Sequence, residues 1–319
     1  MNLLAFSGGV DSTALFFYLL EKKIPFDIAI VNYHTRKNSD LEVEYAKELA
    51  KKYNKNIYIK DCFLNKFSEK SARDCRYKFF EEIILKYKYS TLILAHQLND
   101  RLEWFLMQLS KGAGLKELIS MPKEEKRENY TILRPFIDKS KDEILNYLQK
   151  NNIKYFIDES NFDKKFKRNF IRDEFSNKFI SLYKEGVKRS FEYLEEDKKL
   201  LFQEDWINIK ELYIIKKTSP KIDIKKIDLI VKKLKKILTK AQRDEIIKQN
   251  FSSVIKSSIA IDSNESYIFI SPYIKVKLTK EDKEFFRKNK IPPKNRGYIS
   301  LNEDIKNYLI HLDINSSIK

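Results

Sequence analysis

Cysteine is nearly absent from this chain: only Cys62 and Cys75 occur, and they form no CxxC. That excludes a disulfide scaffold and a thiolate metal cluster, and it suits a reducing cytoplasm. Histidine occurs three times, too sparsely for an imidazole metal cluster. No run of about 18 apolar residues exists, so no membrane span is expected. The start, Met1-Asn2-Leu3-Leu4-Ala5-Phe6, lacks the basic opening and longer apolar stretch of a signal peptide, so none is expected. Two nucleotide-binding signatures are also missing, GxxxxGK[ST] and GxGxxG.

What is present suffices for a globular protein. Hydrophobic residues make up 42% and charged residues 34% of 319 positions, enough to bury a core. At about 150 residues per domain, two domains are expected. Net charge is +17. From Ile207 to Lys319 there are 25 basic and 13 acidic residues, whereas residues 1–206 hold 38 and 33. The smaller carboxyl-terminal part thus carries most of the excess, and such a surface attracts polyanions, nucleic acid first. A merely solvated Lys-rich surface is the alternative.

The first 136 residues alternate strand and helix. Strands are predicted at Asn2–Phe6, Phe26–Tyr33, Asn56–Cys62, Ser90–His96 and Tyr130–Phe136. Helices are predicted at Ser12–Lys22, Ser39–Tyr53, Ser71–Tyr87 and Asp100–Leu109. Capping boxes are read at Ser39/Glu42, Ser71/Asp74 and Ser140/Glu143. Strands such as Leu92-Ile93-Leu94-Ala95 are continuously apolar, as a parallel sheet covered on both faces requires. The expected fold is α/β, a doubly wound parallel sheet with its crevice at the carboxyl ends of the strands. Residues 1–205 form the expected catalytic domain, mainly helical from about 140. Residues 206–319 form a smaller basic α+β domain, with Asp262–Glu265 as a hairpin turn. The charged segment Met121–Asn129 reads as a mobile loop. On the helix Ile224–Leu238, lysines such as Lys225, Lys226, Lys232 and Lys233 read as a solvated face over an apolar one.

Ser7-Gly8-Gly9-Val10-Asp11-Ser12 lies between the first strand and the first helix. Two glycines let backbone N–H groups converge, and the helix adds its positive end, a nest suited to pyrophosphate. Ser7 and Ser12 can add hydroxyl donors, and Asp11 can hold Mg²⁺ against the phosphates.

This hexapeptide resembles the loop of the pyrophosphatase-loop enzymes, which split ATP between the α and β phosphates. Further segments resemble the tRNA(Ile)-lysidine synthase family in order and spacing, densely over about residues 1–175. These are Val31–Arg36 followed by Ser39–Glu42, Ser71–Tyr77, Ala95–Glu103 followed by Gly112–Leu115, Arg134-Pro135, Asp158–Asn161, and Arg168-Asn169-Phe170-Ile171-Arg172. The sequence departs from the family at Tyr33-His34, where His-Gly is common, at Trp104 instead of Thr, and at Lys111 instead of Arg.

The resemblance implies an adenine nucleotide α hydrolase-like fold. It also implies a ligase that joins free L-lysine to carbon 2 of the wobble cytidine of a CAU-anticodon tRNA(Ile), through an adenylated tRNA, releasing AMP and pyrophosphate. ATP and Mg²⁺ are the implied cofactors, the cytoplasm the implied location, and a homodimer is compatible with it. ATP contacts are expected at Ser7–Ser12, Arg36 and His96. Lysine's amine has a pKa of ~10.4, so only about one molecule in a few thousand is nucleophilic at neutral pH. Asp100 and Glu103, three apart at a helix start, are expected to bind it and take its proton. Lys111, Arg168, Asn169 and Arg172 are expected to stabilise the adenylate or position tRNA, and the basic carboxyl domain to bind tRNA. The alternatives are a 2-thiocytidine-type enzyme, which usually needs paired cysteines near the loop, and a non-catalytic RNA-binding relative.

Overall fold

The computed structural model describes residues 1–34, 39–64, 68–157, 167–202 and 204–311. They form two compact units, Met1–Lys198 and Lys199–Lys319. In the first unit the elements run β1 (Asn2–Ala5), α1 (Val10–Glu21), β2 (Phe26–Asn32), α2 (Ser39–Lys52), β3 (Ile57–Asp61), α3 (Glu69–Tyr87), β4 (Thr91–Ile93) and α4 (Leu98–Leu109). After them come α5 (Leu115–Leu118), β5 (Glu124–Lys126), β6 (Thr131–Leu133), α6 (Lys141–Lys150), α7 (Lys167–Ile171), a π-helical turn (Arg172–Ser176) and α8 (Asn177–Leu201).

The sheet order is β3-β2-β1-β4-β6-β5. All its pairs are parallel except β5 with β6. Successive side chains of β1 point to opposite faces. Leu4 therefore joins the core under α1, α2 and α6 with Phe16, Leu49 and Ile144, while Leu3 joins the α3 core with Phe80 and Ile84. Strand order reverses between β1 and β4, and chain segments leaving those two strands diverge there and open a crevice.

Three local expectations are corrected. The charged segment 121–129 contains strand β5, an exposed edge paired antiparallel with the neighbouring strand, where the Glu125 carboxylate also pairs with Arg134 (2.9 Å) and Arg127 (2.5 Å). The cap of α3 is Ser68, with Ser71 three residues inside the helix, so Ser71/Asp74 is not a capping box. The cysteines are joined: Cys62, just beyond β3, is bridged to Cys75 in α3. The crossover returns α3 alongside the end of β3, which sequence spacing does not reveal. Ser140 and Glu143 do form the expected box, with Ser140 N–H donating to Glu143 Oε2 at 2.7 Å.

The second unit comprises β7 (Trp206–Ile209), β8 (Leu212–Lys216), α9 (Pro220–Lys233), α10 (Lys240–Lys248), β9 (Ser253–Ile255), β10 (Ile259–Ser263), β11 (Tyr267–Pro272), α11 (Lys280–Lys288), α12 (Arg296–Ser300) and α13 (Glu303–His311). Its antiparallel sheet has the order β7-β8-β11-β10-β9. Along β11, Ile268 and Ile270 pack toward Ile227, Ile230 and Ile246, and Tyr267 and Phe269 toward Phe286, Ile299 and Leu309. Helices therefore cover both faces. Lys226 is not on the solvated face: it is 5% exposed and pairs with Asp205 at 2.7 Å. Among the described residues no helix is long and apolar enough to cross a membrane.

Gly297 is required by a close approach. A Cβ there would lie 1.8 Å from the Ile274 carbonyl oxygen. Backbone cannot swing aside like a side-chain tip, so Gly297→Ala is expected to destabilise the protein by about 1–3 kcal/mol. Urea unfolding checks this; an unchanged midpoint would show that the segment moves freely.

Candidate active site

The crevice is a cavity of about 470 Å³ at the carboxyl ends of β1, β2 and β4, and Ser7, Gly9, Val10, Asp11 and Ser12 form one wall. Gly8 does not line it but shapes the turn. Its φ is +72°, and a Cβ would press on Glu42 at 3.3 Å. The Gly8 carbonyl accepts from Phe156 N–H (2.9 Å) and Thr13 Oγ1 (3.1 Å). The Ser7 and Ser12 hydroxyls stand 3.0 Å apart, and Ser7 N–H donates to Ser12 Oγ at 3.1 Å. The N-cap of α1 is Gly9, with no side-chain cap. The first N–H groups of α1 therefore meet the cavity without a protein side chain over them, an arrangement that favours an anion.

Asp11 opens onto the same cavity. Its Oδ1 is buried and without a hydrogen-bond partner. Burial, reinforced by the neighbouring Asp100, pushes its pKa up to about 7. His96 lies on the cavity wall with a buried, unpartnered Nδ1. Burial pushes its pKa down to about 4 against the pull of Asp100, so the ring is neutral at pH 7. An oxygen atom that is buried, unpartnered and next to a second carboxylate suits a hard cation. Among the described residues no group of three or more His, Cys, Asp or Glu is placed to hold a metal. A Mg²⁺ ion here would take most of its ligands from phosphate and water, as that ion usually does.

Asp100 and Glu103 share one face of α4 but have different surroundings. Asp100 completes a capping box, its Oδ2 accepting from Gln97 N–H at 3.2 Å, and its Oδ1 meets Arg168 Nη2 at 3.0 Å. It lines the cavity. Burial works to raise its pKa, but Arg168, His96 and Arg172 together carry it below the usual range. Glu103 is 0% exposed and does not line the cavity. Its Oε1 accepts from Arg172 Nε at 2.7 Å; its Oε2 accepts from Arg168 Nε (2.9 Å) and Arg172 Nη2 (3.1 Å). The expectation that both carboxylates face lysine therefore divides. Asp100 faces the cavity, and Glu103 holds the two arginines whose other edges line it. Asn169 is buried beside Arg172 (3.5 Å) rather than in the cavity, and Lys111 is exposed beyond α4. Arg36 and Asp158–Asn161 lie outside the described residues.

A PP-loop domain family model matches residues 1–179. The chain is 48% identical over 303 residues to the tRNA(Ile)-lysidine synthase of Campylobacter jejuni, covering 93% of this chain and 92% of that one. The chain belongs to the tRNA(Ile)-lysidine synthase family. Lysidine synthases of Wolinella succinogenes (41%, covering 93% and 92%) and Helicobacter pylori (40%, covering 92% and 88%) are also similar. Among solved structures, the U34-tRNA thiolase NcsA from Methanococcus maripaludis superposes with a TM-score of 0.51 at 17% identity, over 61% of this chain and 71% of that one. That likeness concerns the fold alone. The enzyme is a ligase that makes lysidine on tRNA(Ile), with the PP-loop domain as its ATPase.

Two further cations line the lysidine synthase cavity, Arg76 and Lys141. Arg76 stands within a segment whose resemblance was legible, Ser71–Tyr77, but a mid-helix arginine looks like surface dressing. Lys141 follows the cap of α6, and its N–H donates to Asn99 Oδ1 (3.1 Å), while Asn99 Nδ2 donates to Asn177 Oδ1 (2.8 Å). Asn99 thus ties α4, α6 and α8 around the site. The departures from the family pattern also find places. Tyr33 lines the cavity and donates to the Ala72 carbonyl at 2.8 Å. His34, at φ +53°, is held by Asn32 (3.0 Å) and Asp61 (2.7 Å). Trp104 Nε1 donates to the Glu117 carbonyl at 3.0 Å, away from the cavity.

Proposed function

We propose that the cavity performs both half-reactions of lysidine synthesis on the wobble cytosine of a CAU-anticodon tRNA(Ile). The observation that carries this is the meeting, in one cavity, of an uncapped helix N-terminus, the Asp11/Asp100 carboxylates and the cations Arg76, Lys141, Arg168 and Arg172. ATP phosphates lie against Gly9–Ser12, where converging N–H groups hold them without reorganisation. The base oxygen at carbon 2 attacks the α-phosphorus and pyrophosphate leaves. Lysine's side-chain amine then attacks carbon 2, AMP departs with the oxygen, and the amine's extra proton passes to water. Arg76, Lys141, Arg168 and Arg172 stabilise the negative charge that both steps develop. Mg²⁺ bound with ATP would be held by Asp11 and would neutralise phosphate charge. Asp100 stays ionised and attracts the lysine ammonium.

The basic second unit supports tRNA binding through phosphate contacts. A cytoplasmic location follows from this reading, because ATP, free lysine and tRNA meet there. The direct test is mass spectrometry of tRNA(Ile) after incubation with ATP, Mg²⁺ and labelled lysine. One lysine should appear on the wobble nucleotide, and AMP without base labelling would refute the assignment.

Asp100→Asn separates the half-reactions. The single amide oxygen can keep the cap on Gln97, the charge facing lysine is removed, and Arg168 loses its Asp100 contact but keeps Glu103 and Glu69. A lost charged hydrogen-bond partner is worth ~1.5–3 kcal/mol, so lysine's apparent KM should rise roughly ten- to hundredfold. Pyrophosphate release with tRNA alone should continue. Equal loss of both activities would move Asp100 to the nucleotide.

A further inference from the structure

The helical run after Arg168 has a third face that neither the cavity nor the core uses. Phe170, Phe175, Phe179 and Tyr183 are 45%, 52%, 49% and 57% exposed. The π turn explains their alignment. Its extra residue lets Phe170 and Phe175, five apart, meet edge to face at 5.9 Å between ring centroids, and Phe179 and Tyr183 follow at 5.0 Å. The same run lines the cavity with Arg168, Arg172, Asp173 and Asn177, and buries Ile171, Ser176 and Ile180. Large aromatics grouped in solvent are the informative exception to ordinary surface composition.

We propose that this ridge is a stacking platform for the unpaired anticodon-loop bases that flank the reacting cytosine. The inference rests on the tRNA reading above. An enzyme that works on a base inside a folded strand must draw it out of its stack, leaving its neighbours without a partner. Aromatic rings replace that partner for any base, since every base has a π face. The ridge adjoins the cavity-lining face by helical spacing: Asp173 lies three residues after Phe170, and Phe175 three after Arg172, so each of these cavity residues has a ring as its helical neighbour. A base at the cavity mouth therefore has its neighbours over the rings. α8 kinks at Tyr183, and beyond the kink it carries the cations Lys188 and Arg189, suited to a strand's phosphates.

The test uses the whole enzyme and tRNA(Ile) carrying 2-aminopurine beside the wobble position. The double variants Phe175→Ala/Phe179→Ala and Phe175→Leu/Phe179→Leu are compared with wild type. Both should weaken tRNA binding about ten- to hundredfold and relieve the 2-aminopurine quenching. ATP affinity and thermal midpoint should stay unchanged. Retained quenching and affinity in the alanine variant overturns the proposal. So does full recovery by leucine, which supplies apolar contact without a ring. A wild-type dimer that the alanine variant splits, with tRNA affinity intact, makes the ridge a contact between copies and also overturns it. Failure of the tRNA reading itself would show separately, as wild-type enzyme that forms no lysidine.

Discussion

Asp11→Asn is expected to cut pyrophosphate release about a hundred- to a thousandfold, leave tRNA affinity nearly unchanged, and make the protein more stable at pH 8. The three outcomes share one cause. Asp11 Oδ1 is buried and unpartnered, and Asp100 adds like charge. Its pKa is therefore raised from 3.8 to about 7. A raised pKa means the folded protein holds a proton that the unfolded chain has released. The associated stability is present below about pH 4, declines as pH rises, and is lost above about pH 7. At pH 8 the ionised Asp11 costs the protein at most about 4 kcal/mol. Asparagine carries no such penalty, so the variant should gain up to that amount at pH 8 and nothing at pH 4. It loses the anionic oxygen proposed to hold ATP's cation, so adenylation should fall by about a hundred- to a thousandfold, on the scale of losing a principal electrostatic contact. Thermal melts across pH, beside a pyrophosphate-release assay, check both halves. Stability that does not depend on pH in the difference between the two proteins would show that Asp11 is ionised without cost. Undiminished pyrophosphate release would remove it from the phosphate site.

What could be read in advance follows from the range of the interactions. The turn Ser7–Ser12 between β1 and α1 was legible because it is made by consecutive residues between a strand and a helix. The parallel sheet was legible because β1, β2 and β4 are apolar on both faces. Strand β5 was not: an exposed edge strand made of Glu124, Glu125 and Lys126 has the composition of a loop, and only its pairing with β6 makes it a strand. The three helices after Lys280 carried no reading at all. In the site, the adjacency of Asp100 and Glu103 was local and visible. Their partners were not, because Arg168 and Arg172 are more than 60 residues away in sequence. Nothing in the polar helix start Asn99, Asp100, Arg101 and Glu103 marks it as interior, yet all four are buried. Arg101 is buried for a separate reason, pairing with Asp138 and Glu195 and lying 4.3 Å from the Phe191 ring centroid. The π turn has no sequence signature, so the alignment of Phe170 with Phe175 emerged only from the backbone.

Glu103→Gln should behave differently from Asp100→Asn, although the two residues are one helical turn apart. Glu103 is fully buried and receives three hydrogen bonds from two guanidiniums. Arg168 is held charged by this arrangement: burial opposes its charge, and Asp100 and Glu103 outweigh the burial. Neutralising Glu103 leaves Asp100 as the main counter-charge for both arginines. Removing one partner from a buried ion pair typically costs about 3–5 kcal/mol, because the remaining charge is stranded. For a domain of this size that corresponds to a fall of roughly 6–20 °C in Tm. Below that temperature the variant should still fold, but Arg168 and Arg172 are then free to leave the cavity wall. Both half-reactions should decline together, with lysine's KM little changed in the residual activity. A lysine-binding carboxylate would give the opposite pattern, a raised KM for lysine with stability and adenylation intact. Arg172→Lys provides the matching control from the other side of the pair. It keeps the charge but cannot span both Glu103 oxygens, so it should reproduce part of the loss of stability. If Glu103→Gln melts with the wild type and loses only lysine affinity, Glu103 contacts substrate and the ion network is dispensable.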